Sequence, residues 1–161
     1  DLEIVRANQV WSIDITYVPM KNGFMYLTAI IDIYSRKIVG WGLSNSLDSE
    51  SSLRVVRDAV KSHGKPEIIN SDQGSQFTCS QYVELLQEEK IRISMDGKGR
   101  AIDNIYIERF WRSIKYRHIY LNPANDGIEL FRGIMNWIDK YNNRKRQGTG
   151  QKPFLRYHNV A

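Results

Sequence analysis

Between Val10 and Val18 apolar and polar positions alternate. Trp11, Ile13, Ile15 and Tyr17 share one face; Ser12, Asp14 and Thr16 share the other. That period of two predicts a β-strand. Asn22-Gly23 favours a turn with positive φ. Phe24 to Ile33, rich in aromatic and branched residues, predicts a second strand, and Lys37 to Leu43, after a turn at Ser35-Arg36, a third. Short connections between three strands predict an antiparallel meander.

The period then changes to that of a helix. Asp48 is placed to cap a helix carrying Leu53, Val56, Ala59 and Val60 on one face, and His63-Gly64-Lys65-Pro66 stops it. Glu67 to Ser71 predicts a short fourth strand. Thr78 and Gln81 have capping-box spacing ahead of the stripe Tyr82, Leu85 and Leu86. Arg92 to Met95 predicts a fifth strand. Asp96 to Arg100 holds two glycines and is expected to be a mobile loop. A helix is expected from about Asp103 to His118, with Asp103 serving its N-terminus. Another is expected from Asp126 to about Asn143, with Asp126 and Glu129 as a second capping box. Beyond Asn143 the chain reads as basic and irregular. All four tryptophans fit apolar faces and are expected in the core. The order βββαβαβαα predicts an α/β fold, a five-stranded mixed sheet flanked by helices, which matches the ribonuclease-H-like architecture.

Charge adds an asymmetry. The net charge of the 161 residues is +5, but residues 1–96 sum to −3 and residues 97–161 to +8. A basic final third points to a polyanion partner, nucleic acid foremost, although a solvated basic surface has the same signature. One cysteine, Cys79, excludes an internal disulfide and a cysteine-rich zinc site. Neither a membrane-spanning run nor a signal peptide is visible, so a reducing intracellular location is expected.

Three acids stand out. Asp14 interrupts an apolar strand, where a carboxylate is costly unless paired or bound to metal, or else faces solvent. Asp72 ends the fourth strand, where ligands gather in α/β sheets; Asp followed by Gly74 is also ordinary turn chemistry. Glu108 lies at the edge of the buried stripe Ile107, Phe110, Trp111 and Ile114. It shares a neighbouring stripe with Asn104, Arg112 and Lys115, and a plain salt bridge to Arg112 is its structural alternative.

Taken together, the motifs resemble the bacterial insertion-sequence transposases that carry a retroviral-integrase-type core. The likeness runs from about Asn8 to about Asn143. It is carried by Gln9-Val-Trp-Ser-Ile-Asp-Ile-Thr-Tyr-Val18, Ile31-Asp-Ile-Tyr-Ser-Arg36 and Ser71-Asp-Gln-Gly-Ser-Gln-Phe77. Ser94-Met-Asp-Gly-Lys-Gly-Arg-Ala-Ile-Asp-Asn104 and Glu108-Arg-Phe-Trp-Arg-Ser-Ile-Lys115 complete it. Between Asp72 and Glu108 lie 35 residues, the spacing of the D,D,35E group. The resemblance implies that Asp14, Asp72 and Glu108 are catalytic and bind two Mg²⁺ (or Mn²⁺) ions, one activating water or a 3′-hydroxyl and one stabilising the leaving oxygen. It implies nicking and strand transfer on double-stranded DNA, at element ends and target, by a homo-oligomer in the bacterial cytoplasm. Residues 1–143 would be the catalytic core and 144–161 a basic tail, with an N-terminal end-binding domain outside this chain. Asp32 would be structural, bonding to Ser35 or Arg36. Expected DNA contacts are Asn104, Arg109, Arg112, Lys115, Arg144, Lys145 and Arg146. Two departures touch the tail side: Arg117 stands where members often carry an acid, and the usual histidine of the basic end motif is absent. The rivals are a nuclease of the same fold that does not join, and a non-catalytic DNA-binding protein. A glycosidase would also use paired carboxylates, but the basic final third argues against it.

Overall fold

The structure is a computed structural model and describes residues 2–95 and 104–158. Strands β1 (Val10–Pro19), β2 (Phe24–Asp32) and β3 (Ile38–Ser44) form the expected meander. Met20 N donates to Gly23 O at 3.0 Å in the first turn, with Gly23 at φ +88°. Helix α1 (Ser49–His63) leads to β4 (Ile68–Ser71); α2 (Ser75–Thr78) and α3 (Ser80–Glu88) lead to β5 (Arg92–Met95). Then come α4 (Ile105–Ile114), a π-helical turn (Lys115–Ile119), α5 (Gly127–Asn142) and α6 (Pro153–Tyr157). The sheet order is β3-β2-β1-β4-β5, with β4 and β5 parallel to β1.

Both faces of the sheet are covered. On one, Val10, Leu27, Ala29 and Ile31 pack against Ile107, Phe110 and Ile114 of α4 and Leu130, Ile134 and Ile138 of α5. On the other, Trp11, Ile13, Ile30 and Ile69 meet Leu53, Val56 and Ala59 of α1 and Tyr82 and Leu86 of α3. Each such side chain contributes roughly 1.5–3 kcal/mol on full burial, so these two layers dominate over any single cap. Trp11 and Trp111 are buried, whereas Trp41 and Trp137 are only partly buried against the core. Helix α1 lies so close to β3 that a Cβ on Gly40 would sit 2.9 Å from the Ala59 Cβ.

Several local expectations are corrected. Thr78 does not cap α3: it ends α2, its Oγ1 donates to Gly74 O at 3.3 Å, and Cys79 takes the cap position with its Sγ turned back to Gln76 O at 3.6 Å. The box at α5 is half formed. Asp126 Oδ1 accepts from Glu129 N at 2.8 Å, but the Glu129 carboxylate turns to Asn125 Nδ2 at 2.9 Å. At α1 the expected cap is present, Asp48 accepting from Ser51 N at 3.1 Å. Asp103 and the Asp96–Arg100 loop lie outside the described residues. The chain after Asn143 is not wholly irregular: α6 docks on the core, where Tyr157 shares its hydroxyl proton between Asn8 Oδ1 (2.8 Å) and His63 O (3.1 Å).

Asp32 is fully buried and ties the β2–β3 turn to the N-terminal segment. Its Oδ2 accepts from Ser35 N (2.9 Å) and Ser35 Oγ (2.6 Å), and its Oδ1 from Asn8 N (2.8 Å). Burial pushes its carboxyl above the usual range, against the pull of those hydrogen bonds.

Candidate functional site

A buried polar layer locks four elements together. Asn70 on β4 accepts a bond from Ser94 Oγ on β5 (2.9 Å) and donates through Nδ2 to Asn104 Oδ1 at the head of α4 (2.7 Å). Ser12 Oγ on β1 donates to the same Asn104 oxygen at 3.2 Å. Ser12, Asn70 and Asn104 are buried beneath α4. Buried polar groups persist only when bonded, so the layer sets how far α4 slides along β1 and β4.

The three acids follow members of this layer closely in sequence. Ser12 pairs with Asn70 across β1 and β4; two residues further along each chain stand Asp14 and Asp72. Within β1 a period of two returns Asp14 to the face of Ser12, while Asp72 stands just past the end of β4. On α4, Glu108 follows Asn104 by one turn, its backbone N donating to Asn104 O at 3.1 Å. Asp14 and Glu108 thus stand one repeat beyond a member of the polar layer, and Asp72 follows Asn70 by two residues past the strand end.

Their environments differ. Asp14 is half-buried, and Trp111 Nε1 donates to its Oδ2 at 3.0 Å. Lys115 lies near it: burial lowers the ammonium's pKa, and the Asp14 charge opposes that shift. Asp72 is exposed at the strand end, and its Oδ1 accepts from Gly74 N at 2.8 Å. A Cβ on Gly74 would meet that oxygen at 2.9 Å, so a side chain there would displace the Asp72 carboxylate. Glu108 is exposed on the first turn of α4. The two ion pairs among the described residues, Arg6–Glu67 and Arg57–Glu50, leave the alternative Glu108–Arg112 salt bridge unformed. Among the described residues no three His, Cys, Asp or Glu side chains close on one point as a metal cage. Asp14 is carried on β1 and Glu108 on α4, and Asp72 directly follows β4.

The basic residues divide. Arg109, Arg112, Arg144 and Lys145 are exposed. Arg146 is half-buried, donating to Arg144 O (3.2 Å) and Tyr141 O (3.3 Å). Asn104 is corrected as a DNA contact: only 6% exposed, its side chain is turned into the polar layer. Sequence reasoning missed Ser12, Asn70 and Ser94. The available signal was their spacing, since Ser12 and Asn70 each precede an acid by two residues on a strand.

Residues 5–101 match the family described as Integrase core domain, and residues 89–153 match a second family of the same description. The chain belongs to the integrase core family. Among curated relatives, it is 37% identical over 149 residues to the transposase for insertion sequence element IS904 of Lactococcus lactis, covering 89% of this chain and 57% of that protein. It is 32% identical over 142 residues to transposase InsF for insertion sequence IS3A of Escherichia coli, covering 87% of this chain and 49% of that one. This integrase core therefore spans about half the length of the curated relatives it matches. The human T-cell lymphotropic virus type 2 integrase catalytic core, solved in complex with magnesium, superposes with a TM-score of 0.78 at 20% identity, covering 96% of this chain and 99% of that one. A chain of the simian T-cell lymphotropic virus intasome complex reaches 0.82 at 18% identity, covering 97% and 57%. These likenesses establish the ribonuclease-H-like fold. No helix among the described residues is long and apolar enough to cross a membrane.

Proposed function

We propose that this chain is the catalytic core of a transposase that nicks and joins DNA by metal-dependent phosphoryl transfer, with Asp14, Asp72 and Glu108 as the metal ligands. The observation that supports the reading is the polar layer of Ser12, Asn70 and Asn104, which ties together β1, β4 and α4, the elements on or beside which the three acids stand. Transposase relatives covering most of this chain support the same activity.

Mg²⁺ or Mn²⁺ held there would activate the attacking hydroxyl and stabilise the leaving oxygen. The chain's own part is to position. Trp111 holds one oxygen of Asp14, and Gly74 N holds one oxygen of Asp72. Asn104 ties the base of the glutamate helix to both strands. Lys115, near Asp14, supplies positive charge where a phosphate would approach, and exposed Arg112 lies one turn from Glu108. Element ends and target duplex are the proposed substrates, with end recognition assigned to a region outside this chain. The proposed assembly is a homo-oligomer in the bacterial cytoplasm.

The test is nicking and joining of element-end DNA by the full-length protein with Mg²⁺. Asp14→Asn, Asp72→Asn and Glu108→Gln should each abolish both steps while DNA affinity survives. A variant with near-parent turnover would remove that residue from the ligand set. Cleavage by the parent without joining would move the chain to the nucleases.

A further inference from the structure

Alongside α4, two adjoining cavities of about 360 and 190 Å³ share Ser113, Tyr141 and Arg146 as walls. Together they form a trench between α4, the C-terminal end of α5 and the turn of residues 146–149. Arg36, Arg109, Arg117, Lys140, Arg144 and Arg146 line it, and among the described residues no aspartate or glutamate stands in either wall. Neither ion pair among the described residues involves any of these six cations. A concave surface lined by one sign of charge concentrates its field and attracts counter-charge.

The guanidinium groups are held in place. Arg36 stacks on Tyr106 at 3.5 Å from the ring centroid, with Arg109 5.8 Å from the same ring. Arg36 Nη1 also donates to the carbonyls of Ile33 and Tyr34, a small share of the five donors a guanidinium carries. Arg146 stacks on Tyr141 at 4.1 Å, and the turn that carries it closes through Arg146 N to Gln151 O at 2.8 Å. Burial is the main force lowering the pKa of Arg36 and Arg146. Neighbouring cations add to it: Arg156 and Arg109 for the first, Arg144 and Arg117 for the second. A bound anion would relieve that crowding.

The trench opens on another side of α4 from the acids. Tyr106, Arg109 and Ser113 form one stripe, whereas Asn104, Glu108 and Lys115 ride a different one. Successive residues such as Glu108 and Arg109 stand about 100° apart around a helix. We propose that this trench is a second nucleic-acid contact, seating successive phosphodiesters of a DNA segment away from the phosphate that reacts. Six cations spread along two adjoining cavities match a run of backbone charge better than one free phosphate. The proposal rests on the DNA-processing reading above.

The test is anisotropy of a labelled short duplex of arbitrary sequence, titrated with the 161-residue chain over a range of salt. The trench variant is Arg109→Ala/Lys140→Ala/Arg144→Ala. The control, Arg54→Ala/Lys61→Ala/Arg132→Ala, removes as much charge from exposed positions elsewhere, and equal thermal unfolding verifies that both fold. Each lost phosphate contact removes about 0.9 from the slope of log affinity against log salt, so the trench variant should flatten by about 2.7 and bind more weakly. The control should keep the parent's slope. Equal losses in both variants, or none in the trench variant while the parent binds, would overturn the trench and leave the DNA-processing reading standing. A parent that fails to bind duplex even at low salt would sink that reading and the trench with it. Displacement of the duplex by low inorganic phosphate at constant ionic strength would assign the trench to a free anion and overturn the DNA assignment.

Discussion

Replacing Asn104 with alanine probes whether one buried oxygen organises the site. Asn104 Oδ1 accepts from Asn70 Nδ2 at 2.7 Å and from Ser12 Oγ at 3.2 Å, and all three residues are buried. The alanine variant removes the acceptor that both donors share. Leaving a buried donor unsatisfied costs about 1–3 kcal/mol each, so the pair should cost about 2–4 kcal/mol, allowing the Ser12 hydroxyl to rotate toward another acceptor. For a domain of this size each kcal/mol shifts Tm by about 2–4 °C, which sets the expected fall at roughly 5–15 °C. Urea unfolding of Asn104→Ala, Ser12→Ala and the double variant measures it. Because removing both partners of a buried bond is far cheaper than removing one, the double variant should lose less than the sum of the two singles. Mn²⁺ affinity should also weaken, because the head of the glutamate helix loses its tie to β1 and β4. Additive losses, or an Asn104→Ala cost below about 0.5 kcal/mol, would refute the claim that this layer acts as a unit.

Asp32 yields a pH prediction. Its folded pKa is raised by burial, so between the ordinary value of 3.8 and that raised value the folded state holds more protons than the unfolded state. Its contribution to stability therefore declines as pH climbs through that window, and Asp32→Asn should erase this component of the pH profile. The same variant should be less stable by about 1–3 kcal/mol, because its amide NH₂ must face the N–H of Ser35 or Asn8; a stabilised variant would contradict the bonding described. Gly40→Ala should cost about 1–3 kcal/mol by forcing α1 away from β3, read from the denaturation midpoint; a neutral result would show that Ala59 gives way freely. Trp111 should report metal at Asp14: paramagnetic Mn²⁺ is expected to quench part of the parent's tryptophan emission, and that part should vanish in Trp111→Phe and in Asp14→Asn. Unchanged quenching in both would place the ion elsewhere.

Much of this protein was legible along the chain. Strand alternation from Val10 to Val18, the helical stripe of Ile107, Phe110, Trp111 and Ile114, and the helix stop at Gly64 are local signals, and local backbone geometry obeys them. The acids Asp14, Asp72 and Glu108 were candidates by residue type and place along the chain, and the resemblance to the integrase-type transposases joined them into a triad. What failed depended on where neighbouring elements end and on partners far away in sequence. Thr78 matched a capping motif, yet α2 claimed it, because the motif registers spacing and not where the preceding turn ends. Helix α6 is five residues long, too short to hold by itself, and it exists through Tyr157 reaching Asn8 and His63. Ser12 read as a position on the outer face of a half-exposed strand; once α4 covers that face, the same hydroxyl is buried and must find an acceptor 92 residues away. The trench is more distant still, since Arg36, Arg109 and Arg146 come together only after the β2–β3 turn, α4 and the tail are packed. Periodicity and spacing act between neighbours and are written in the chain. Burial, hydrogen-bond partnership and the convergence of like charges depend on which surfaces close over which, and the packed structure alone decides that.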